Sequence, residues 1–319
     1  MRRIDTSKYS EYIEYAEQCT ANHVYPLSIA TGTQDGDIYI DDKGCVIFWH
    51  ACGFVYISGN VGPDALETIY QEFLVKDSER RFLLITDSEL VTEYYASHDS
   101  LLLENRIEYV HSGIPGNPPV LEDSFEFERI TRENIGDIRG RIIPSFSWKS
   151  DEVFLRNGFG FMARSKENGS FAAVAFSSAV SPEEVDIGVE TIEAFRYHGL
   201  ASCLAYRMCK EIIQQGRRPV WAHAEVNKGS QKTALSVGFK PCGINTVIHK
   251  KIKSEGTNNT ASTYSRIVRP LEIRAMKRPT NGAQLIHHAQ YITVQLVNHP
   301  RPAFSKANVS KVKLANFWI

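Results

Sequence analysis

The sequence predicts an α+β protein in which a mixed β-sheet flanked by helices is preceded by a smaller α+β domain. Three observations support this prediction. Segments of β-forming residues alternate with helical patterns through residues 125–250, as in a sheet that carries helices on its faces. A separate group of β-forming segments precedes them within residues 37–60. Between the two groups lies a stretch in which proline and glycine are frequent.

The first group of elements falls within a predicted amino-terminal domain, residues 1–115. The segment DIYIDDKGCVIFWHACGFVYISGN predicts consecutive strands joined by a turn at Asp42-Lys43-Gly44. Pro63 then stands at the first position of a helix with an apolar face, and RRFLLITDS predicts one more strand. The stretch HSGIPGNPPVLEDS, residues 111–124, cannot sustain a helix or a central strand and is the predicted domain boundary.

The second predicted domain covers residues 125–251. Its predicted elements, in chain order, are strand FEFERIT, a helix from about Arg132, strands GFGFMARS and FAAVAFSSAV with a turn at Lys166–Gly169, strand EVDIGVET, a helix from Gly199 to about Gln215, strand PVWAHAE, a helix over Gln231–Val237 and strand PCGINTVIHK. Strands followed by helix, strand, helix and strand predict a mixed sheet.

Composition narrows the function classes. No apolar run is long enough to span a bilayer and the first residues lack the apolar stretch of a signal peptide, so we expect a soluble cytoplasmic protein without a membrane partner. The six cysteines form no CxxC pair, and His287-His288 has no further ligand-type residues at suitable spacing. Neither a disulfide framework nor a metal site is therefore predicted, and the cysteines are interpreted as core residues.

The charge distribution is uneven although the net charge is only −1. Residues 252–319 hold ten basic residues and two acidic ones, so the preceding body is acidic. We interpret residues 252–319 as a basic, weakly structured tail that begins with a polar linker. Aromatic residues are sparse in this tail, which disfavours a nucleic-acid partner, and the acidic body favours a cationic small molecule. The oligomeric state is left open.

The segment FRYHGLASCLAYRM, residues 195–208, carries the strongest functional signal. Apolar residues recur at helical spacing from Ala201, so Gly199 lies in the first turn of a helix that directly follows strand EVDIGVET. A helix opening presents unpaired backbone N–H groups and a partial positive charge, and a glycine lets an anion approach the backbone. A pyrophosphate group fits such an opening.

The pattern Arg196-x-x-Gly199-x-Ala201 resembles the acetyl-CoA pyrophosphate loop of the GCN5-related N-acetyltransferases. The resemblance covers roughly Phe125–Lys250 and implies the acyl-CoA N-acyltransferase fold with acetyl-CoA as co-substrate. The segments NGFGF, DIGVET with RYHGLA, and NKGS before LSVGF are similar to a two-domain subfamily with an extra amino-terminal domain. By this resemblance the cofactor-binding residues are Val189, Thr191, Arg196, Tyr197, His198, Gly199, Leu200, Ala201, Ser202, Asn227 and Ser230. Asn227 is equally suited to cap the following helix.

The chemistry of amide formation requires a base. An amine with a lysine-like pKa near ~10.4 is mostly protonated at pH 7 and must lose a proton before it can attack a thioester. Glu190 and Asp186 lie on the strand beside the loop, and their even spacing places them on one side of it. Glu190 is the first candidate because it is nearer the loop, and a bulge in the strand would bring in Glu184 instead. A solvent-exposed or paired carboxylate is the alternative for each.

The predicted function is an N-acetyltransferase, that is, an acyltransferase for groups other than aminoacyl groups. It moves an acetyl group from acetyl-CoA to a primary amine of a small molecule by direct attack in a ternary complex. Relatives often carry an acid tyrosine four residues before the final Gly-Phe, where this sequence has Ala234. Cys203 and Cys209 have no evident base partner, which argues against a covalent intermediate. The alternative function is an acyl-CoA-binding pseudo-enzyme or sensor without transferase activity.

Overall fold

The β-forming segments of both regions join in one sheet. The computed structural model describes residues 1–111, 113, 119 and 123–251. Its strands are β1 Arg2–Arg3, β2 Gly36–Ile40, β3 Cys45–His50, β4 Phe54–Gly59, β5 Leu83–Thr86, β6 Leu101–His111, β7 Phe125–Arg129, β8 Gly160–Ser165, β9 Phe171–Val180, β10 Glu184–Thr191, β11 Arg218–Ala224 and β12 Phe239–Lys250. Within this described part the order across the sheet is β1-β2-β3-β4-β5-β12-β6-β11-β10-β9-β8-β7.

Helices cover both faces of the sheet, and their ends follow from local sequence. They are α1 Ile13–Glu17, α2 Val24–Ala30, α3 Pro63–Ile69, α4 Glu89–Ala96, α5 Asp151–Asn157, α6 Leu200–Gln214 and α7 Lys228–Ser236. Pro63 occupies the first turn of α3, where its missing N–H costs nothing. The side chains of Ser88, Ser150 and Asn227 cap α4, α5 and α7 by accepting a backbone N–H bond.

The chain repeats one topology. In the first half, antiparallel strands β2 to β4 lead through α3 to β5, which pairs parallel with β4, and α4 then leads to the long strand β6. In the second half, antiparallel strands β8 to β10 lead through α6 to β11, which pairs parallel with β10, and α7 leads to the long strand β12. The two halves therefore have the same order of elements.

The last strands of the two halves are exchanged. Strand β6 of the first half lies between β11 and β12 of the second, and β12 lies between β5 and β6. The described residues of both halves accordingly form one compact unit. The sequence suggests a small amino-terminal domain that stands apart, but the sheet does not show one. Strand β6 belongs to the first predicted domain and is paired with β11 and β12 of the second.

Most predicted elements of residues 125–251 occur at the predicted places, with one clear exception. The helix predicted from about Arg132 is wrong, since residues 135–137 and 144–146 form only single 3₁₀ turns and α5 begins at Asp151. Gly140 has a φ of +129° and Pro144 follows closely, and both interrupt a helix. The predicted basic tail, residues 252–319, and most of the predicted linker lie outside the described residues.

The cores lie under the helices. In the second half the apolar face of α6 is buried against β8, β9 and β10, with Leu204, Met208 and Ile212 fully buried. In the first half every residue of α2 is buried, and this helix packs on β2 and β3 as well as on β9 and β10. Helix α2 thus packs on strands of both halves.

Candidate functional site

Strands β10 and β11 separate at the centre of the second half. They pair in parallel at only three positions, Glu184 with Arg218, Val185 with Pro219 and Asp186 with Val220. Beyond Asp186, β10 stays paired with β9 while β11 stays paired with β6. A V-shaped cleft therefore opens between residues 187–191 and 221–224, with Asp186 at its apex.

Helix α6 begins beside this cleft with free backbone donors. Gly199 is its N-cap residue in the left-handed conformation, with φ 75° and ψ 1°, and no side chain caps the helix. The first intrahelical bond at this end runs from the N–H of Cys203 to the carbonyl of Gly199 at 3.1 Å. The N–H groups of residues 200–202 thus face out of the helix without intrahelical acceptors, and the first turn has no acidic residue. This end of α6 suits an anion.

The loop before α6 is held by aromatic packing. The rings of Phe195 and His198 lie 5.9 Å and 5.5 Å from the ring of Phe125 on β7. Tyr197 between them has a φ of 71° and is fully exposed. A left-handed tyrosine is sterically costly, so the loop conformation is held by its surroundings. Arg196 precedes it in extended conformation at the mouth of the helix opening.

The other predicted cofactor residues divide by what their side chains do. Leu200 is buried in the core, so only its backbone is available to a ligand, and the hydroxyl of Ser202 lies 2.8 Å from that of Ser236. Ala201 also lies in the first turn of α6. Val189 and Thr191 lie on β10 along the cleft, and the buried hydroxyl of Thr191 has no hydrogen-bond partner among the described residues.

Asn227 and Ser230 come together at the start of α7. The side chain of Asn227 accepts a hydrogen bond from the Ser230 N–H at 3.0 Å, which is the capping alternative. The hydroxyl of Ser230 accepts one from the indole N–H of Trp221 at 2.9 Å. Asn227 thus caps α7, and Ser230 fastens that helix to β11 on one wall of the cleft.

Asp186 is the carboxylate at the apex. It is 4% exposed, and its Oδ2 accepts a hydrogen bond from the Tyr25 hydroxyl on α2 at 2.8 Å. Its Oδ1 is buried without a hydrogen-bond partner in the described part of the chain. Burial raises the pKa of Asp186 to about 6, against the opposing influence of Arg106, of the Tyr25 hydroxyl and of the Asn22 side chain. This carboxylate can therefore take up a proton near neutral pH.

The other two candidate carboxylates are engaged elsewhere. Oε2 of Glu190 accepts the backbone N–H of Ile142 at 3.1 Å, and its side chain packs so closely on Gly140 that a Cβ there would lie 2.6 Å from its Cγ. The pairing of β10 with β9 shifts by one residue beside Asp186, and the unpaired residue is Ser178 on β9. The bulge is therefore in β9 and not in β10. Glu184, which is buried, forms an ion pair with the half-exposed Arg218. Glu190 thus anchors residues 139–143, and Glu184 stabilises the strand start.

The structure adds polar residues around Asp186 that the sequence did not suggest. Together with Asp186 they form what we call the central polar cluster: Tyr25, Tyr56, Arg106, Glu108, Asp186 and Asn245. Arg106 and Glu108 are two residues apart on β6, and Asn245 lies opposite Arg106 on β12. Buried atoms of five members have no hydrogen-bond partner among the described residues: Tyr56 Oη, Arg106 Nε, Glu108 Oε1, Asp186 Oδ1 and Asn245 Nδ2. The only hint in the sequence is the run of charged residues in strand ENRIEYV.

Burial also shifts the pKa values of His223 and of two cysteines. The Nδ1 of His223 lies 2.9 Å from the Ala224 carbonyl and its Nε2 lies 3.1 Å from the Tyr109 hydroxyl, and burial lowers its pKa. Burial raises the pKa of the Cys209 thiol to about 12 and that of Cys203 in the same direction. A buried thiol of this kind is a poor nucleophile.

No helix in residues 1–111 and 123–251 is long and apolar enough to cross a membrane. No group of three or more His, Cys, Asp or Glu side chains there is arranged to hold a metal ion.

Comparison with known proteins identifies relatives. A model of the GNAT acetyltransferase family matches residues 17–244, which is more than half of the 319 residues. No match is found among curated proteins. A GCN5-related N-acetyltransferase-like protein from Streptococcus suis 89/1591 has a similar structure at 18% identity and a TM-score of 0.60, over 77% of this chain and 100% of its own.

Two other solved structures show the same fold over both halves. A GCN5-related N-acetyltransferase from Sphaerobacter thermophilus is 11% identical with a TM-score of 0.50, covering 78% of this chain and 94% of its own. A tandem GNAT protein from the clavulanic acid biosynthesis pathway is 10% identical with a TM-score of 0.50, covering 78% and 96%. At such identities the likeness concerns the fold alone.

Proposed function

Because this chain belongs to the GNAT acetyltransferase family, we propose that it moves an acetyl group from acetyl-CoA to a primary amine of a small molecule by direct attack. One observation carries the proposal. The uncapped opening of α6 lies beside the cleft between β10 and β11, and the buried carboxylate of Asp186 lies at the apex of that cleft. The doubled topology supports placing the chain with the two-domain members of the family, which is part of the same proposal.

The residues of the cleft fit acetyl-CoA. The N–H groups of residues 200–202 would hold the pyrophosphate, with Arg196 adding a positive charge, because the first turn of α6 presents neither an acidic side chain nor a capping one. Beyond Asp186, β10 and β11 are not paired with each other, so their facing backbone edges are open. These edges would hold the amide-bearing arm of acetyl-CoA. When bound, acetyl-CoA supplies an acetyl thioester that reacts with an amine.

Asp186 is the carboxylate best placed to accept the amine proton. Its Oδ1 has no close hydrogen-bond partner among the described residues, although the Asn22 side chain lowers its pKa, whereas Glu190 is occupied by the backbone of Ile142. A carboxylate whose pKa is raised to about 6 is a stronger base than an exposed one and is still mostly ionised at pH 7. In the transfer the amine nitrogen forms a bond to the acetyl carbon, the carbon–sulfur bond breaks, and the amine proton passes to Asp186 Oδ1.

A general acid is less necessary than this base. The leaving thiol has a pKa near ~8.5 and departs as thiolate at modest cost. This agrees with Ala234, fully buried in α7 at the position where relatives often have an acid tyrosine. The raised pKa values of Cys203 and Cys209 support direct attack over a cysteine-bound intermediate.

The alternative is a protein that binds an acyl-CoA without transferring the acyl group, and Ala234 is the observation in its favour. The test measures thiol release from acetyl-CoA with a panel of polyamines, amino sugars and amino acids. We expect release that depends on one of the amines and is lost in Asp186→Asn. Binding of acetyl-CoA without amine-dependent release would establish the alternative.

A further inference from the structure

The first half contains its own opening between two parallel strands. Strands β4 and β5 pair at Phe54 with Leu83 and at Val55 with Leu84, and then separate just as β10 and β11 do. A cavity of about 110 Å³ lies where they separate. Its lining includes Tyr56 and Ile57 from β4, Thr86 and Asp87 from the end of β5 and beyond, and Thr20 from the segment between α1 and α2.

This opening lacks an anion-binding helix end like the start of α6 in the second half. Its helix α3 starts at Gly62 in extended conformation, followed by Pro63, which has no N–H, and by the acidic Asp64. At the corresponding place α6 has a left-handed glycine preceded by arginine and no acidic residue in its first turn. A second pyrophosphate is therefore disfavoured here, and the opening is available to a different molecule.

One residue of the cavity wall, Tyr56, also belongs to the central polar cluster. Tyr56 lines the cavity, is 1% exposed, and its hydroxyl has no hydrogen-bond partner among the described residues. Its ring stacks on that of Tyr25 at a centroid distance of 6.0 Å, and the Tyr25 hydroxyl donates to Asp186. A continuous series of contacts thus runs from the cavity in the first half to the apex of the cleft in the second.

The charges of this region favour a cation. The carboxylates of Asp186 and Glu108 are accompanied by the single guanidinium of Arg106, and Asp87 adds a further carboxylate on the cavity wall. No ion pair joins Arg106 to either cluster carboxylate within the described residues, although its charge acts on both. Buried carboxylates without an ion-pair partner are costly unless a ligand satisfies their charge.

We propose that the acceptor amine enters through the first-half cavity and binds in the central polar cluster, and that it is a compact primary ammonium with an oxygen group, such as an amino alcohol or an α-amino acid. This inference rests on the proposed acetyl transfer. The ammonium takes its place beside Asp186 and Glu108. The oxygen group accepts from Arg106 Nε and Asn245 Nδ2, two of the buried donors of the cluster that have no close hydrogen-bond partner in the described residues. Each half of the duplicated fold then delivers one substrate.

The test narrows the mouth of the cavity. Thr20 is an exposed cavity residue, so Thr20→Trp obstructs the entrance without disturbing the core, and Thr31→Trp is the matched control at an exposed threonine outside the cavity. Thiol release is measured with ethanolamine, glycine, putrescine and propylamine. We expect ethanolamine or glycine to be preferred over propylamine by ~10–100-fold in kcat/KM, because buried donors reject a substrate that lacks their acceptor.

For the preferred amine, Thr20→Trp should raise KM at least about tenfold with acetyl-CoA affinity unchanged, while Thr31→Trp changes neither. Equal KM values in the wild type and in Thr20→Trp, or preference for propylamine, would overturn the assignment. If no amine releases thiol, the proposed transfer fails, and the same panel then tests the site by thermal shift. An amine that raises Tm in the wild type but not in Thr20→Trp supports it, and an equal shift in both, or none, refutes it.

Discussion

Replacing Asp186 by asparagine should make the protein more stable and less active, and the stability gain should depend on pH. The substitution keeps the side-chain shape, and its amide oxygen can still accept the Tyr25 hydroxyl. It removes a charge whose Oδ1 is buried without a partner among the described residues. A residue that only stabilised the fold would behave in the opposite way.

The size of the effect follows from the pKa. Burial moves the pKa of Asp186 from the usual 3.8 to about 6, which at roughly 1.36 kcal/mol per unit puts the cost of the ionised form near ~3 kcal/mol as an upper bound. The native state binds more protons than the unfolded state between these pH values, so this carboxyl makes the wild type lose stability as pH rises through them. At pH 8 the variant should gain about 1–3 kcal/mol, or roughly 2–10 °C in Tm. At pH 5 about half of the gain should remain, and most of it should vanish only at about pH 4 or below, where the carboxyl is protonated in both states.

The assay is thermal unfolding of the wild type and of Asp186→Asn at pH 5 and pH 8, together with amine-dependent thiol release at pH 7. The rate should fall by ~10²–10⁴, as for a positioned base. Glu190→Gln is the control on the same strand, because glutamine can still accept the Ile142 N–H, and it should leave both measurements nearly unchanged. A lower Tm of Asp186→Asn at pH 8, or a rate equal to that of the wild type, would refute this reasoning.

Three further predictions concern the same surroundings. Tyr25→Phe removes a hydrogen bond that lowers the pKa of Asp186, so the acidic limb of the kcat/KM profile should move to higher pH; an unmoved limb would exclude Asp186 as the titrating group. Gly140→Ala combines a φ of +129° with a clash against Glu190 and should cost about 1–3 kcal/mol in urea unfolding, whereas Gly136→Ala, with open space around its Cβ, should cost under about 1 kcal/mol. Limited proteolysis should cut within residues 111–124 or after Lys253 before it cuts within 125–250, and early cuts inside that range would contradict the prediction that residues 111–124 form an exposed connector.

The sequence predicted local elements well where periodicity and turn residues agreed. The strand before Gly199, the helix after it and the turn at residues 42–44 follow from patterns a few residues long. The helix predicted from about Arg132 does not form, because Gly140 and Pro144 interrupt it. Both residues lie outside the short segment on which the prediction was based. The pattern also gave no sign of helices α1 and α2, since α2 is buried on all sides and has no polar face.

Pairing between distant segments could not be predicted in the same way. Nothing local in β6 indicates that it lies between β11 and β12, because register across a sheet depends on partners more than a hundred residues away. For a related reason, spacing along β10 could not decide between Glu190 and Asp186 as the base. Even spacing places both on one side of β10, but their depth and hydrogen-bond partners are set by α2 and by residues 139–143.

The central claim is that acetyl-CoA binds at the opening of α6, and calorimetric titration tests it most directly. Gly199→Asp places a negative charge at that opening and Gly199→Asn has nearly the same shape without the charge, both being residue types that tolerate the left-handed conformation. Gly62→Asp makes the equivalent change at the start of α3, where a Cβ meets open space. The account predicts one acetyl-CoA per wild-type chain, unchanged binding in Gly62→Asp, an intermediate loss in Gly199→Asn, and affinity at least about a hundredfold weaker in Gly199→Asp. Two molecules per chain, or wild-type affinity in Gly199→Asp, would contradict it.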